Sequence, residues 1–183
     1  MCVILQNMRG KTPAQLLEEN NISNVPPVNV SLLLKNLGIK EVSADFKNLE
    51  RFYNVKDGDI LGITFAQGDQ LNIMYRYTDT LNRKRFTIAH ELAHCCLNTD
   101  DLRDKHVEFR NKSMENDPRE MNANIFAGEL LIPYNSLIRV YNQLIVPALS
   151  SLATIFQVST NVMAERLNYL GLVYEKDRQL SED

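Results

Sequence analysis

Apolar residues recur along this chain in two rhythms, one of helical period and one of alternating runs, and the changes between them mark the elements. Thr12-Pro13-Ala14-Gln15 has the form of a helix start: a capping threonine, a proline at the first helical position and a glutamine three residues past the cap. The helix predicted from it runs through Leu16 and Leu17 towards Asn20, and Pro26-Pro27 then breaks the chain. Asn29 caps a second helix, with Val30, Leu33, Leu34 and Leu37 on one stripe and Gly38 as its stop. From Ile39 to Tyr77 the pattern shifts to short apolar runs, 39–42, 60–65 and 71–77, separated by turn residues. The last two runs, joined by Ala66-Gln67-Gly68-Asp69-Gln70, predict a hairpin and hence a small antiparallel sheet.

Helical spacing returns after Asp79 or Thr80, either of which can serve as the N-cap. Phe86, Ala89, Ala93 and Leu97 are apolar in this stretch, and no proline or glycine falls between Thr80 and Cys96. Thr99 to Asp117 is polar and charged, which predicts a loop. Asp117-Pro118-Arg119-Glu120 starts another helix, with Ala123, Phe126, Ala127, Leu130 and Leu131 on its apolar side and Pro133 as its stop. Two further helical patterns, 148–156 and 160–170, are joined through Gln157-Val158-Ser159 and closed by Gly171, in the manner of a helix-turn-helix. The expected organisation is an α+β domain over 1–146 followed by a helical segment over 147–183.

Composition narrows the classes of function. At 183 residues and 44% hydrophobic content the chain can bury a real core as one domain with a small appendage. A formal charge of −3 gives no electrostatic footprint for nucleic acid. No apolar run is long enough to span a bilayer, and the opening Met1 to Gln6 is too short for a signal peptide. Cys2, Cys95 and Cys96, an odd count with two adjacent members, suit a reducing compartment, so a cytoplasmic protein is expected.

The chemistry is concentrated in Arg85-Phe86-Thr87-Ile88-Ala89-His90-Glu91-Leu92-Ala93-His94, which holds two of the chain's three histidines. On a helix His90 and His94 lie one turn apart on the same face and can offer imidazole nitrogens to one metal ion. Glu91 is rotated about 100° from His90, which places its carboxylate beside such a metal, where a general base belongs. This is the H-E-x-x-H pattern of zinc hydrolases, in which two imidazoles and one further protein ligand leave a tetrahedral position for water. Cys95 and Cys96 follow directly, but helical rotation turns them off that face towards packing positions. Arg83-Lys84-Arg85 stands where the helix dipole disfavours cations, and the simplest reading of so short a run is a solvated basic turn.

Spacing alone leaves the third ligand open. The metzincin pattern requires glycine and histidine where this chain has Leu97 and Asp100, so it fails. Asp100, Glu108 and Glu115 would each need the chain to turn back sharply. Glu120 admits two readings, as the third residue of a capping box begun by Asp117 or as a carboxylate facing the motif helix. His106, in the polar stretch, could hydrogen-bond an oxyanion, although a lone loop histidine is more often merely solvated.

The chain resembles the ImmA/IrrE-type zinc metallopeptidases. The likeness lies in Arg85 to His94, in Glu120-Met121-Asn122-Ala123-Asn124-Ile125-Phe126-Ala127-Gly128-Glu129-Leu130-Leu131-Ile132-Pro133, and more weakly in Leu152 to Ser159, Arg166 to Leu172 and Leu37-Gly38-Ile39. Ala93 departs from the glycine usual in that family before the second histidine. The resemblance implies a Zn2+ site of His90, His94 and Glu120 with Glu91 as catalytic base, built from a gluzincin-like H-E-x-x-H helix and a second metal-binding helix. It also implies a protein substrate, a helix-turn-helix transcriptional repressor encoded nearby.

Two other classes compete. The C-terminal helices could mark a DNA-binding regulator, but Arg139, Arg166, Lys176 and Arg178 face Glu165, Glu175, Asp177, Glu182 and Asp183 in the same region, a poor balance for phosphate contacts. Packing, or docking of the repressor, suits these helices better. An inactive zinc-stabilised interaction protein, such as the toxin of a toxin–antitoxin pair, is opposed by Glu91, since a structural site has no need of a base.

Overall fold

The computed structural model describes residues 3–97, 105–109 and 117–176. Three short helices open the chain: α1 (Val3–Met8), α2 (Pro13–Glu19) and α3 (Val30–Asn36). The capping box expected at Thr12 is present, with the Gln15 N–H donating to Thr12 Oγ1 at 3.3 Å and the Thr12 N–H donating to Gln15 Oε1 at 2.9 Å. Asn29 Oδ1 accepts from the Leu32 N–H at 2.9 Å, and Gly38, at φ +73°, lets the chain leave α3. Helix α1 has no counterpart among the predicted elements. Its place is set by Leu5 and Met8, which are buried in the core.

Four strands follow: β1 (Lys40–Ala44), β2 (Ile60–Gln67), β3 (Gln70–Arg76) and β4 (Lys105–Phe109), in the sheet order β1-β3-β2-β4. The predicted hairpin is β2–β3, with Thr64 opposite Ile73. The sheet is mixed, because β1 pairs parallel with β3. Helix α4 (Lys47–Tyr53) lies between β1 and β2. Strand β4 falls within the stretch expected to be a loop, and it pairs antiparallel with β2, with His106 opposite Thr64 and Glu108 opposite Gly62. The difference has a simple cause: a strand at a sheet edge is held by main-chain bonds and tolerates a polar sequence.

Helix α5 (Leu81–Leu97) packs between β2–β3 and α6 (Pro118–Leu131), and Thr80 Oγ1 caps it by accepting from the Arg83 N–H at 3.3 Å. Then come α7 (Tyr134–Gln143), α8 (Leu149–Phe156) and α9 (Thr160–Tyr169). One hydrophobic core unites these elements: Leu33, Ile73, Ile88, Leu130, Leu152, Phe156 and Leu167 belong to a single buried cluster. A smaller one of Phe46, Ile60 and Ile63 joins α4 to β2. The fold is thus α+β, with a small sheet on one side of α5 and helices on the other. Among the described residues no helix is long and apolar enough to cross a membrane.

Of the basic run at the start of α5, expected to be solvated, Arg83 is exposed, Lys84 half-buried and Arg85 buried. Arg83 pairs with Asp79 at 3.3 Å, and Lys84 pairs with Glu41 and lies 4.6 Å from the centre of the Tyr75 ring. Arg85 is buried, and its guanidinium donates to the carbonyls of Val28 at 2.8 Å, Gln157 at 3.1 Å and Phe156 at 3.4 Å. The last two carbonyls end α8, where the helix dipole favours a cation. Burial lowers the Arg85 pKa, yet a guanidinium stays charged in any protein interior. Arg85→Met removes the donor and leaves three inward-facing carbonyls without it, so it is expected to cost about 2–4 kcal/mol in urea denaturation. Arg85→Lys should recover only part of that loss.

A largely buried ion pair anchors α4. Glu50 accepts from the N–H of Gly58 at 2.7 Å and of Ile60 at 3.4 Å and pairs with Arg76, which also reaches Asp57 at 3.2 Å. Burial raises the Glu50 pKa, but these hydrogen bonds outweigh it and hold the carboxyl below its ordinary 4.5. A depressed folded-state pKa adds stability that is present above pH 4.5 and is lost as pH falls through the folded value. The stability gap between wild type and Glu50→Gln, read from urea midpoints, should therefore be widest near neutrality and shrink steadily below pH 4.5.

Candidate metal centre

Two facing helices build the site. On α5 the i, i+4 spacing stacks His90 and His94 on the face turned to α6, with ring centroids 4.8 Å apart. On α6 the N-cap Asp117 accepts from the Arg119 N–H at 2.9 Å, and Glu120 in the first turn projects towards both imidazoles. The Nε2 atoms of His90 and His94 are 2.9 Å apart, His90 Nε2 lies 3.1 Å from Glu120 Oε2, and His94 Nε2 lies 3.5 Å from Glu120 Oε1. Ligands about 2.0–2.1 Å from a tetrahedral ion stand roughly 3.3 Å from one another, so this donor spacing fits a zinc-sized cation. Among the described residues this is the one group of His, Cys, Asp and Glu side chains with donors close enough to share a metal ion.

Electrostatics agree with the geometry. Hydrogen bonding from His90 and His94 holds the Glu120 carboxyl far below the usual carboxylate range, against the opposing effect of burial. Both histidines are buried, and Glu120 is half-buried between them and the surface. His90 Nδ1 lies 2.9 Å from Asn124 Oδ1, and a proton on Nδ1 donating to that oxygen would leave the Nε2 lone pair for a metal ion. Asn124 stands one turn after Glu120 on the same helix.

Glu91 is fully buried next to His90, on the side of α5 that meets β2. Thr64 of β2 donates its hydroxyl to Glu91 Oε2. The carboxylate fits there because its neighbour on β2 is Gly62. A Cβ at that position would sit 2.5 Å from Glu91 Oε1, 2.8 Å from Thr87 Cγ2 and 3.0 Å from Glu91 Cδ.

His90, Glu91, His94 and Glu120 are therefore gathered in one place, and the capping alternative for Glu120 gives way to its contacts with the imidazoles. Cys95 and Cys96 are buried in the core away from the donor group, where burial pushes the Cys96 thiol up to about 12. Cys2, Asp100 and Glu115 lie outside the described residues, and His106 and Glu108 fall on β4 by their backbone. Gly62, Thr64 and Asn124 escaped the sequence reading. Asn124 alone left a trace there, as a polar residue one helical turn from Glu120.

Two imidazoles and a carboxylate around a metal-sized gap, with a further carboxylate buried alongside, are the side-chain set of a metallohydrolase. The chain belongs to the Peptidase_M78 family, a metallopeptidase family, through its IrrE N-terminal-like domain, which matches residues 44–168. A transcriptional regulator of Mycobacterium tuberculosis has a similar fold, with a TM-score of 0.52 and 16% sequence identity. The alignment covers 92% of this chain and 47% of that one, so this chain spans about half the regulator's length. No curated protein matches the sequence.

Gly62→Ala should lower stability by about 1–3 kcal/mol through overpacking against Glu91 and Thr87. In a double-mutant cycle with Glu91→Ala, part of that loss should return, because the atoms nearest the added methyl are gone. Additive losses would show that the two residues do not meet.

Proposed function

We propose that this protein is a zinc-dependent endopeptidase that cleaves a partner transcriptional repressor of the helix-turn-helix type. One observation carries the reading: His90, His94 and Glu120 converge within 4.8 Å, and Glu91, next in the chain to a donor, is buried beside them. His90 Nε2, His94 Nε2 and the Glu120 carboxylate hold the ion. Zinc is the choice that suits this donor set and the H-E-x-x-H helix, although manganese, iron and cobalt accept the same ligands.

A divalent ion bound there supplies Lewis acidity, polarising the scissile carbonyl and acidifying water to a pKa of roughly 7. The residues do the rest. Glu91 accepts the proton of the attacking water and returns it to the leaving amine. Thr64, by donating to Oε2, holds the carboxylate in one orientation, and Gly62 gives it room. Asn124 keeps the His90 Nδ1 proton in place, so Nε2 remains a donor of electrons throughout.

A protein substrate fits the sheet as well as the site. Strand β4 ends the order β1-β3-β2-β4 next to the strand that carries Gly62 and Thr64. An extended peptide added at that edge would be aligned by main-chain bonds with little demand on its side chains. The resemblance of the sequence to ImmA/IrrE-type peptidases supports a repressor encoded nearby as the partner, and Cys95 and Cys96, buried and outside any disulfide, suit a cytoplasmic protein.

Incubation with the product of a neighbouring repressor-like gene, followed by mass spectrometry, tests the whole reading. Wild type should cleave it, and Glu91→Gln should keep its zinc by elemental analysis while losing at least about a hundredfold in rate. Glu120→Ala should lose most of its zinc. Equal zinc content in wild type and Glu120→Ala would remove that residue from the ligands.

A further inference from the structure

A cavity of about 500 Å³ opens between the start of α5, α6 and α9, with Phe86, Met121, Ile125, Val162 and Tyr169 as its apolar walls. None of His90, Glu91, His94 and Glu120 lines it. It does meet Asn124, whose Oδ1 lies 2.9 Å from His90 Nδ1, while the metal donors converge at the other ring nitrogen, Nε2. We infer that this hollow is an effector site: it takes a small uncharged molecule with an aromatic body and a hydroxyl end, and the occupant weakens metal binding through Asn124. The cavity and its ligand stand apart from the metallopeptidase reading; the effect on the metal rests on it.

Size and walls set the body of the ligand. Sites for small molecules usually enclose about 300–1,000 Å³ behind apolar and aromatic walls with a few polar groups. Met121 is 51% exposed, Ile125 37% and Tyr169 63%, which leaves apolar surface around the hollow for an occupant to cover. Gly128 also lines it, and a Cβ added there meets nothing within 4 Å, so a residue poorly suited to a helix interior keeps the space open.

Charge sets the ligand's ionic state. Glu165 and Arg166 are neighbours on α9 and both line the cavity, so an ion of either sign meets one attraction and one repulsion. Arg166 cannot turn to follow an anion, because it is buried and donates to the Ile132 carbonyl at 3.3 Å. A cation would approach that same fixed charge. The side-chain amides of Asn124 and Asn161 can each donate and accept, which suits a neutral polar group.

The route to the metal is short. His90 is buried whereas Asn124 is exposed, so a molecule in the hollow reaches the imidazole through that amide. A hydroxyl that donates to Asn124 Oδ1 competes with His90 Nδ1 for the oxygen. Loss of such a partner behind a ligating histidine weakens metal binding about 10–100-fold.

The probes are three naphthalenes that differ only in bearing a hydroxymethyl, a carboxylate or an aminomethyl group. Titrated into the metal-free full chain, the hydroxymethyl compound should give saturable methyl NMR shifts at Met121 and Ile125 and bind more tightly than either charged one. Gly128→Leu, which fills the hollow, should abolish those shifts and leave zinc affinity, read by competition with a chromophoric chelator, as in wild type. Should that variant not fold, Val162→Trp narrows the same space from α9. Saturation with the hydroxymethyl compound should lower the zinc affinity of wild type at least about fivefold, and zinc should lower the compound's affinity by the same factor. Asn124→Ala should still bind the compound, but its zinc affinity, already reduced, should no longer respond. Without metal, the compound should move the His90 ring nitrogen resonances in wild type and not in Asn124→Ala. Absence of saturable shifts from wild type, their survival in the filled variant, or tighter binding of a charged compound overturns the site. Unchanged zinc affinity at saturation, or His90 nitrogens that do not move, overturns the coupling. A chain that takes up no zinc defeats the metallopeptidase reading alone, since the shifts at Met121, Ile125 and His90 still judge the cavity.

Discussion

Helix α5 is buried nearly all the way round while carrying an arginine, a glutamate and two histidines, and every one of those polar groups must find a partner away from water. Arg85, Thr87, His90, Glu91 and His94 are all buried, beside Ile88, Ala89, Leu92, Ala93, Cys95 and Cys96. An uncompensated charge in that position would cost several kcal/mol. Each partner comes from a different element. Thr64 on β2 serves Glu91, α6 serves the histidines through Glu120 and Asn124, and the main chain at Val28 and at the end of α8 serves Arg85. The arrangement of sheet, second helix and C-terminal helices around α5 is thus the arrangement that solvates α5 from within.

The same requirement separates the two carboxylates of the site. Glu120 reaches in from the start of α6, retains some contact with solvent and is held ionised by the imidazoles it faces. Glu91 has no solvent exposure and sits against a strand whose glycine makes room for it. A ligand and a base need different surroundings, and two helices supply them: Glu120 enters from α6, while Glu91 turns from α5 towards β2. The strand is as much a part of the site as the helix, because neither Thr64 nor Gly62 could be moved without disturbing Glu91.

What the sequence disclosed divides along a physical line. Features written in local chemistry were legible: the capping box at Thr12, the caps at Asn29 and Asp117, the glycine stop at Gly38, the 60–77 hairpin and the i, i+4 histidines. Glu120 was legible only through family likeness, because a residue after a capping aspartate has a local explanation as well. Elements without such signals were not seen. The N-cap residues of α4 and α7 are Phe46 and Pro133, neither of which gives a side-chain cap, and α1 has only six residues. Strand β4 reads as polar loop because its pairing is main-chain, and the parallel partnership of β1 with β3 leaves no mark in periodicity. Gly62, Thr64 and Asn124 matter through contacts 27 to 34 residues distant or across a strand, and no spacing rule reaches that far.

The C-terminal helices show why a motif's shape is a weak guide to its use. Helices α8 and α9 have the lengths and the tight turn of a helix-turn-helix, with Gln157 in the left-handed region at φ +52°. That turn is where Arg85 donates, so the geometry of the pair is fastened to the helix that carries the metal donors. The faces of the two helices that bury Leu152, Phe156, Met163 and Leu167 are committed to the common core. Arg166, a cation that a phosphate-binding helix would present outward, is buried and bonded to the carbonyl at the end of α6. Electrostatic attraction to a nucleic acid falls off with such internal use of charge, and these bonds tie α8 and α9 to α5 and α6. The shape of a helix pair held in this way is by itself no evidence that it reads DNA.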